Sequence, residues 1–84
     1  MARYSVFVDR DVIASLPKPD RQRRSIMDFV SSLAEDPHSR ADYTEPDPSG
    51  RTLEVKIIGR HAITYWLDHA VKEVKIVYLQ PSGR

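Results

Sequence analysis

The chain has 84 residues, no cysteine and a formal net charge of +1. A chain of this length has room for one domain with a thin core, and the lack of cysteine excludes disulfides, thiolate metal sites and a cysteine nucleophile. The small net charge conceals an acidic part, with −2 over residues 1–50, and a basic part, with +3 over residues 51–84; this fits either solvated surface charge or contact with phosphate.

The first twenty residues predict a strand and a short helix. The apolar run at 4–8 suits a strand buried in a sheet. Asp9 or Asp11 can cap a helical turn over 12–16. Prolines at 17 and 19 end that helix, because each lacks a backbone donor and disfavours helical angles in its predecessor.

A longer amphipathic helix is expected over 21–35, with Asp20 as its N-cap. Its apolar residues recur at spacings of three and four and predict one face for the core: Ile26, Met27, Phe29, Val30 and Leu33. Asp36 and Pro37 end it, and a polar loop is expected from there to Gly50.

Three strands are predicted over 51–58, 61–67 and 72–79. Each alternates apolar with polar or small residues, is rich in β-branched and aromatic types, and is separated from the next by a short turn-like segment. The pattern predicts an antiparallel meander following a helical first half.

The register of this meander decides which side chains face the helices. We expect Ile58 to pair with Ala62 across a three-residue loop. The helix-covered face would then carry Leu53, Val55, Ile57, Ile63, Tyr65, Leu67, Val74, Ile76 and Tyr78. The opposite face would carry Glu54, Lys56, Ala62, Thr64, Trp66, Lys75, Val77 and Leu79, open to solvent or a ligand.

The expected architecture is a small α+β domain over 1–84. A strand, a short helix and a longer amphipathic helix precede the meander, and both helices pack on one face of an antiparallel sheet. Residues 80–84 are expected to form a flexible tail. Charges at 9–11 interrupt the N-terminal apolar run before it reaches signal-peptide or membrane-spanning length, so we expect a cytoplasmic protein without a membrane partner.

The element order, together with the segment IGRHAITYWLD at 58–68, resembles the RelE/ParE superfamily of toxins from bacterial type II toxin–antitoxin modules. The resemblance covers nearly the whole chain. It implies helices packed on one sheet face, growth inhibition or plasmid stabilisation, and neutralisation by a cognate antitoxin. Its members either cleave messenger RNA on the ribosome or inhibit DNA gyrase.

The resemblance also points to site positions. The mRNA-cleaving members carry basic residues on the open strands, which Lys56 matches, and an arginine before the Ile-x-Tyr element. That arginine position is Ala62 here, and Arg60 is the nearby substitute. A catalytic residue is expected after the last strand, where this chain has Gln80, Pro81 and Ser82, with Arg84 at its end.

RNA cleavage through the 2′-hydroxyl needs a base, an acid and cations around the phosphate. Glu54 is the candidate base, Lys56 or Arg60 the phosphate stabiliser, and His61 an acid or base near neutral pH. The alternatives are a surface ion pair between Glu54 and Lys56, and a partly packed turn residue at His61.

Candidate binding residues complete the set. Trp66, Lys75 and Arg84 are candidates for RNA or target binding, and Trp66 is equally suited to anchor an antitoxin helix. Arg21 and Arg24 are candidates for contact with acidic antitoxin side chains, or else form a solvated helix start. His38 and His69 lie in loops without metal-like spacing, so neither a metal nor another cofactor is expected.

Three functions remain open from the sequence. The chain is a ribosome-dependent mRNA endonuclease, a non-enzymatic inhibitor of gyrase or another target, or a family member that retains only antitoxin binding. The first two predict growth arrest on expression and the third does not. The oligomeric state stays open.

Overall fold

The structure, a computed structural model, describes residues 3–38 and 40–82. Its elements are β1 (Ser5–Val8), α1 (Arg10–Ala14), α2 (Arg21–Ser32), β2 (Tyr43–Pro46), β3 (Thr52–Ile58), β4 (His61–Asp68) and β5 (Glu73–Pro81). The predicted α+β class and the order of the expected elements are confirmed. Within the described ranges, neither helix has the length and apolar character needed to cross a bilayer.

Both helices begin at aspartates that the sequence indicated as caps. The Asp9 carboxylate accepts a hydrogen bond from the backbone N–H of Asp11, at 3.0 Å. The Asp20 carboxylate accepts one from the backbone N–H of Arg23, at 3.1 Å. Each bond satisfies a donor that the first helical turn leaves without a partner.

The strands form one five-stranded sheet in the order β1-β5-β4-β3-β2. β1 lies parallel to β5, whereas every other pairing is antiparallel. The prediction of a purely antiparallel sheet is therefore wrong, because the two helices between β1 and the meander return the chain in the same direction. The predicted 37–50 loop contains β2, an exposed edge strand whose polar sequence and Pro46 hide it from pattern recognition.

The predicted β3–β4 register is wrong by one residue. Ile58 pairs with His61, so the turn has two residues, Gly59 and Arg60, instead of three. Gly59 has φ +59°, the left-handed conformation favoured in such turns, and the Gln22 side-chain amide of α2 donates to the Ile58 carbonyl, at 2.5 Å. A one-residue slip turns every β3 side chain to the opposite face.

The sheet therefore has a helix face and an open face that differ from the expected ones along β3. The helix face is the side on which α1 and α2 pack; the open face is the other side. Lys56 pairs with the core residue Ile63, and Glu54 pairs with Tyr65, so both charged residues belong to the helix face. Leu53, Val55 and Ile57, expected on the helix face, belong to the open face.

The expected β4–β5 face is confirmed except at its end. Tyr65 pairs with Ile76 and Leu67 with Val74 on the helix face. An irregularity between Thr64 and Tyr65 shifts the ladder, which places Tyr78 opposite Thr64 on the open face and Leu79 opposite Ile63 in the core. The prediction that Tyr78 belongs to the core and Leu79 to the open face is therefore wrong.

The main core lies between the helices and the sheet. Its buried residues come from α1, α2, β4 and β5 and from the positions next to β1 and α2: Tyr4, Val12, Ile26, Phe29, Val30, Leu33, Ile63, Tyr65, Val74, Ile76 and Leu79. Leu53, Val55 and Ala62 are also buried but do not belong to that cluster.

The end of β5 is more ordered than expected. Gln80 and Pro81 belong to the strand, and the Ser82 N–H donates to the Arg60 carbonyl, at 2.9 Å. The prediction of a flexible tail is wrong for these three residues, because pairing with the start of β4 holds them. Residues 83 and 84, the rest of that tail, lie outside the described residues.

Candidate functional site

The predicted catalytic residues Glu54 and Lys56 lie on the helix face and not beside Trp66, as the sequence suggested. The Lys56 ammonium lies 3.5 Å from an Asp42 carboxylate oxygen and 6.0 Å from the centre of the Phe29 ring. The correction follows from the β3–β4 register. Lys56 thus forms part of the junction between α2, β3 and the segment before β2.

Asp42 anchors this junction. Its carboxylate accepts a hydrogen bond from the backbone N–H of Ile57, at 2.7 Å, and its own N–H donates to the Val55 carbonyl, at 2.8 Å. The hydrogen bond from Ile57 is the main reason that the pKa of Asp42 lies below its usual value; burial opposes this, and the Lys56 charge and hydrogen bond add smaller lowering effects. No local pattern of residues signals this pairing, because it joins positions separated by a polar loop.

Arg60 and His61, the other two predicted catalytic residues, form the β3–β4 turn and the start of β4. Arg60 is exposed at the second turn position, and its carbonyl is held by Ser82. His61 is half-buried between Ile58 and Pro81, and its Nδ1 atom is buried without a hydrogen-bond partner among the described residues. Strand alternation assigns His61 to the helix face, as it does Lys56.

Tyr65 lies at the centre of the helix face. It is fully buried, and its ring centre is 5.8 Å from that of Phe29. Burial, followed by the charge of Glu54, raises the pKa of Tyr65 to about 12, so its hydroxyl is protonated at neutral pH. This hydroxyl has no hydrogen-bond partner among the described residues.

The open face carries a row of alternating aromatic and cationic side chains, which we call the aromatic–cation row: Phe7, Lys75, Trp66 and Arg51. Phe7 pairs with Lys75 in the parallel ladder, and Lys75 pairs with Trp66 in the antiparallel ladder. The row therefore crosses β1, β5 and β4 and ends beside β3.

Distances within the row are those of cation–π contacts. The Arg51 guanidinium carbon lies 4.2 Å from the Trp66 ring centre. The Lys75 ammonium lies 5.6 Å from the same ring and 5.5 Å from the Phe7 ring. Phe7 is 50% exposed, and a cavity of about 260 Å³ lies between Phe7, Trp66, Lys75 and Val77.

Both cations of the row also have carboxylate neighbours. Lys75 lies 3.2 Å from Glu73, and Arg51 lies 3.5 Å from Asp47. Trp66 and Lys75 were predicted binding residues, and the structure brings them together. Phe7 and Arg51 were missed, because only the strand order places them in the same row.

Ala62, at the position of the family's arginine, also lies on the open face. It pairs with Ile57 on one side and Gln80 on the other. No charged side chain replaces the arginine at these three positions. Of the residues named as catalytic from the sequence, none belongs to the aromatic–cation row.

Arg21 and Arg24, the predicted antitoxin contacts, are exposed at the start of α2. Arg24 lines a cavity of about 310 Å³ with Pro19, Arg23 and Met27. Because α2 packs on the helix face, this cavity and Trp66 lie on opposite sides of the sheet. Arg84, the remaining predicted binding residue, lies outside the described residues.

The described residues contain no group of three or more histidine, cysteine, aspartate or glutamate side chains arranged to hold a metal ion. His38 and His69, assigned separate loops from the sequence, do come together. Their rings stack with centres 5.5 Å apart. This contact lies at the end of the sheet where β4 finishes and β5 begins.

Comparison of the fold with solved structures identifies full-length neighbours. The chain is similar to a chain of the archaeal RelE–RelB complex from Pyrococcus horikoshii OT3, with 24% identity, a TM-score of 0.79, and coverage of 100% of this chain and 99% of that one. It is also similar to a chain of the toxin–antitoxin complex RelBE2 from Mycobacterium tuberculosis, with 18% identity, a TM-score of 0.72, and coverage of 94% and 98%. No protein-family model and no curated protein matches the sequence. The resemblance to RelE-type proteins noted from the sequence is thus confirmed at the level of the fold.

Proposed function

We propose that this chain is the toxin of a type II toxin–antitoxin pair, and that a cognate antitoxin keeps it inactive in the cytoplasm. The observation that carries the proposal is the similarity in fold to chains of the RelE–RelB and RelBE2 complexes. The similarity covers nearly all of this chain and nearly all of each of those chains. A shared fold alone does not define an activity, so the surface chemistry must indicate how the toxin acts.

The surface chemistry favours action by binding, as in the gyrase-inhibiting members of the family. Glu54, Lys56 and His61 belong to the helix face, and Lys56 is paired with Asp42. Ala62 occupies the arginine position on the open face. The candidate acid–base groups therefore lie on the opposite side of the sheet from the exposed rings and cations of the aromatic–cation row.

The aromatic–cation row is the proposed contact surface. It combines an exposed phenylalanine, a half-buried tryptophan and two cations in one line across the sheet. Tryptophan and arginine are enriched among the residues that dominate binding energy in protein interfaces. We assign the row to target binding and Trp66 also to antitoxin binding, so that the antitoxin blocks the target by occupying the same face.

Cleavage of mRNA is the second candidate, and the same row is the observation that favours it. Successive aromatic rings next to cations on a sheet face are typical of surfaces on which nucleic-acid bases stack. On this alternative, Lys75 and Arg51 contact phosphates on the open face, and Arg60, exposed in the β3–β4 turn, assists. Lys56 would have to act on a part of the RNA that reaches the other side of the sheet.

The test is induction of the chain alone in bacteria, with growth, transcript integrity and plasmid supercoiling measured in the same cells. Growth arrest with intact transcripts and altered supercoiling supports binding to gyrase. Arrest with cleaved transcripts supports the second candidate. Normal growth with retained antitoxin binding identifies a chain that keeps only the antitoxin contact, and absence of both overturns the proposal.

Variants locate the active surface. Trp66→Ala should abolish growth arrest while the protein stays folded, as checked by circular dichroism. Ile13→Ala, which shortens a side chain 56% exposed on α1, is the matched control and should remain toxic. Lys56→Ala and Arg60→Ala should remain toxic if the protein acts by binding through the row, and should lose toxicity if they support cleavage.

A further inference from the structure

β1 is an outer strand of the sheet, and among the described residues it pairs with β5 alone. The backbone N–H groups of Ser5 and Asp9 donate to carbonyls in and just before β5, at 3.0 Å each. Alternate residues of a strand point their backbone groups to the same side, so the N–H and C=O groups of Val6 and Val8 point away from β5. This edge therefore presents hydrogen-bond donors and acceptors that another strand can use.

The opposite edge of the sheet is protected against such pairing, whereas the β1 edge is not. β2 carries Glu45 and Pro46, and charges and prolines on an edge strand both discourage pairing with another chain. β1 has the sequence SVFV and contains neither. An apolar edge without this protection is a template for a further strand.

A groove follows the β1 edge on the helix face. It has a volume of about 650 Å³ and lies between β1 and the second half of α2. Val6 and Val8 line it from the strand, and Val30 and Ala34 line it from the helix and the residues just after it. Because Val6 and Val8 are only partly buried against the core, the groove can accept apolar side chains from a strand placed next to β1.

We propose that β1 pairs with β1 of a second copy of this chain, antiparallel and about a two-fold axis at Phe7. The outward-pointing backbone groups fix the register, since Val6 of each copy then lies opposite Val8 of the other. Each such pair exchanges two hydrogen bonds, and the two five-stranded sheets become one continuous sheet. A two-fold contact uses the same surface of both copies, so the edge must be complementary to itself.

The side chains of β1 meet that requirement on both faces. On the helix face, Val6 and Val8 of each copy enter the groove of the other, beside Val30 and Ala34. On the open face, Phe7 is 50% exposed, and the axis places the two Phe7 rings directly opposite each other. Aromatic pairs at such cross-strand positions stabilise sheets.

The charges at the two ends of β1 are also complementary. Arg3 precedes the strand, and Asp9, Arg10 and Asp11 follow it with a net charge of −1. Antiparallel pairing brings the start of each strand to the end of the other. Arg3 is paired with Glu35 at 3.0 Å, but both side chains are largely exposed, at 69% and 74%, so the guanidinium can also contact the carboxylates of the second copy.

The proposed contact leaves most of the open face uncovered. Trp66 lies on β4, which is two strands away from β1, and the aromatic–cation rows of the two copies meet end to end at Phe7. The inference does not rest on the proposed toxin function, because it requires only the free edge and its groove.

The experiment is sedimentation equilibrium of the purified chain alone, from about 1 μM to about 1 mM. The wild type should become dimeric within this range. Val6→Pro removes an N–H that β5 does not use, so it should keep the fold in circular dichroism. It should weaken the dimer about tenfold or more, because the symmetry removes two hydrogen bonds. Val6→Ala also shortens the side chain but keeps the N–H, and it should weaken the dimer less than Val6→Pro does.

A second pair of variants compares the two edges. Phe7→Lys places two ammonium groups opposite each other at the axis, where like charges are unfavourable, and should abolish the dimer over the same range. Tyr43→Lys is the matched control, because Tyr43 is also an aromatic residue on an edge strand and is also 50% exposed. It should dimerise as the wild type does. This pair also serves if Val6→Pro does not fold.

Amide exchange locates the contact by residue. The Val6 and Val8 amides of the wild type should exchange more slowly at high than at low protein concentration.

Three results would overturn the proposal. One is a wild type that stays monomeric up to about 1 mM, including the case in which Val6→Pro loses antitoxin binding and the edge accepts a strand of that partner instead. Another is a dimer that Tyr43→Lys disrupts and Phe7→Lys does not, which places the contact at β2. The third is equal weakening by Val6→Ala and Val6→Pro, which excludes backbone pairing.

Discussion

The two faces of the sheet are made from the same alternating strands but serve different purposes. On the helix face, Ile63, Tyr65 and Val74 are completely buried under the helices. On the open face, Phe7 and Tyr78 are at least half exposed, and cations lie over the tryptophan ring. Alternation alone produces two sides of different character, but the strand register decides which residues pack against the helices and which belong to the open face, where Leu53, Val55 and Ala62 are also buried.

The comparison also separates the charged residues by role. Lys56 belongs to the helix face and is held by Asp42 at the sheet edge. Lys75 belongs to the open face, beside Trp66 and Phe7. Two lysines with the same sequence signature, each between apolar strand residues, therefore support the fold in one case and offer a contact surface in the other.

The largest expected effect distinguishes the faces directly. Ile63→Ala should lower the free energy of unfolding by about 2–5 kcal/mol, because it creates a cavity in the core. Tyr78→Ala should cost less than about 0.5 kcal/mol, because that side chain is 57% exposed. Urea denaturation followed by circular dichroism measures both. If Tyr78→Ala is as costly as Ile63→Ala, Tyr78 belongs to the core, and its pairing with Thr64 on the open face is wrong. If Ile63→Ala does not fold, Ile63→Val provides a milder core variant.

The next effect tests the turn that sets the two faces. Gly59→Ala should cost the roughly 1–2 kcal/mol of a left-handed alanine and, in addition, the hydrogen bond from Gln22 to the Ile58 carbonyl, because the new methyl group would displace the end of the Gln22 side chain. Gly50→Ala is the control, since Gly50 has φ +91° but has open space around it.

Removing the Gln22 side chain should abolish the difference in unfolding free energy between these two glycine variants. In Gly59→Ala/Gln22→Ala, the additional cost of the alanine at 59 should fall to that at 50, as a double-mutant cycle measures. Equal costs for both glycines in the wild-type background would contradict the contact between α2 and the β3–β4 turn.

A smaller effect concerns the hydroxyl buried on the helix face. Tyr65→Phe should leave the free energy of unfolding at pH 7 unchanged or raise it by up to about 1 kcal/mol, because it removes a buried hydroxyl without a protein partner. The pKa of Tyr65 is raised to about 12 from 10.0. The preference of the folded state for the protonated hydroxyl therefore contributes to the free energy of unfolding below about pH 10, and this contribution is lost as the pH rises towards 12.

Alkaline titration checks this prediction. Phenolate absorbance should show one tyrosine that ionises late in the wild type and is missing from Tyr65→Phe, and the variant should lose less stability above pH 10. A variant whose alkaline unfolding matches the wild type would show that Tyr65 does not control that transition.

The smallest effect lies at the edge of the helix face. Asp42→Asn should lower the free energy of unfolding at pH 7 by less than about 1 kcal/mol, because the ion pair with Lys56 is partly exposed and screened. The pKa of Asp42 is lowered in the folded state. The Asp42 charge therefore stabilises the fold above the unfolded-state pKa near 3.8, and this stabilisation is lost as the pH falls through the folded-state pKa. Wild type and variant should therefore converge in acid; a constant difference at pH 7 and below pH 3 would contradict the role of the Asp42 charge.

Much of the architecture was accessible from residue patterns. The capping aspartates, the amphipathic period of 21–35 and the alternation within β3, β4 and β5 are local signals, and each predicted its element. β2 was missed because an exposed edge strand needs no apolar alternation. The candidate site was predicted less well, since Glu54 and Lys56 were assigned a face by an assumed loop length.

The sequence by itself determined the α+β class, the starts of both helices and the resemblance to RelE-type proteins, because these depend on neighbouring residues and on the order of elements. Only the tertiary structure decided the two-residue β3–β4 turn, the irregularity opposite Tyr78, the aromatic–cation row and the stacking of His38 on His69. Each of these depends on contacts between segments distant in the chain, such as Gln22 with Ile58 or His38 with His69. A change of one residue in strand register leaves the local pattern almost equally favourable but reverses the face to which every side chain belongs.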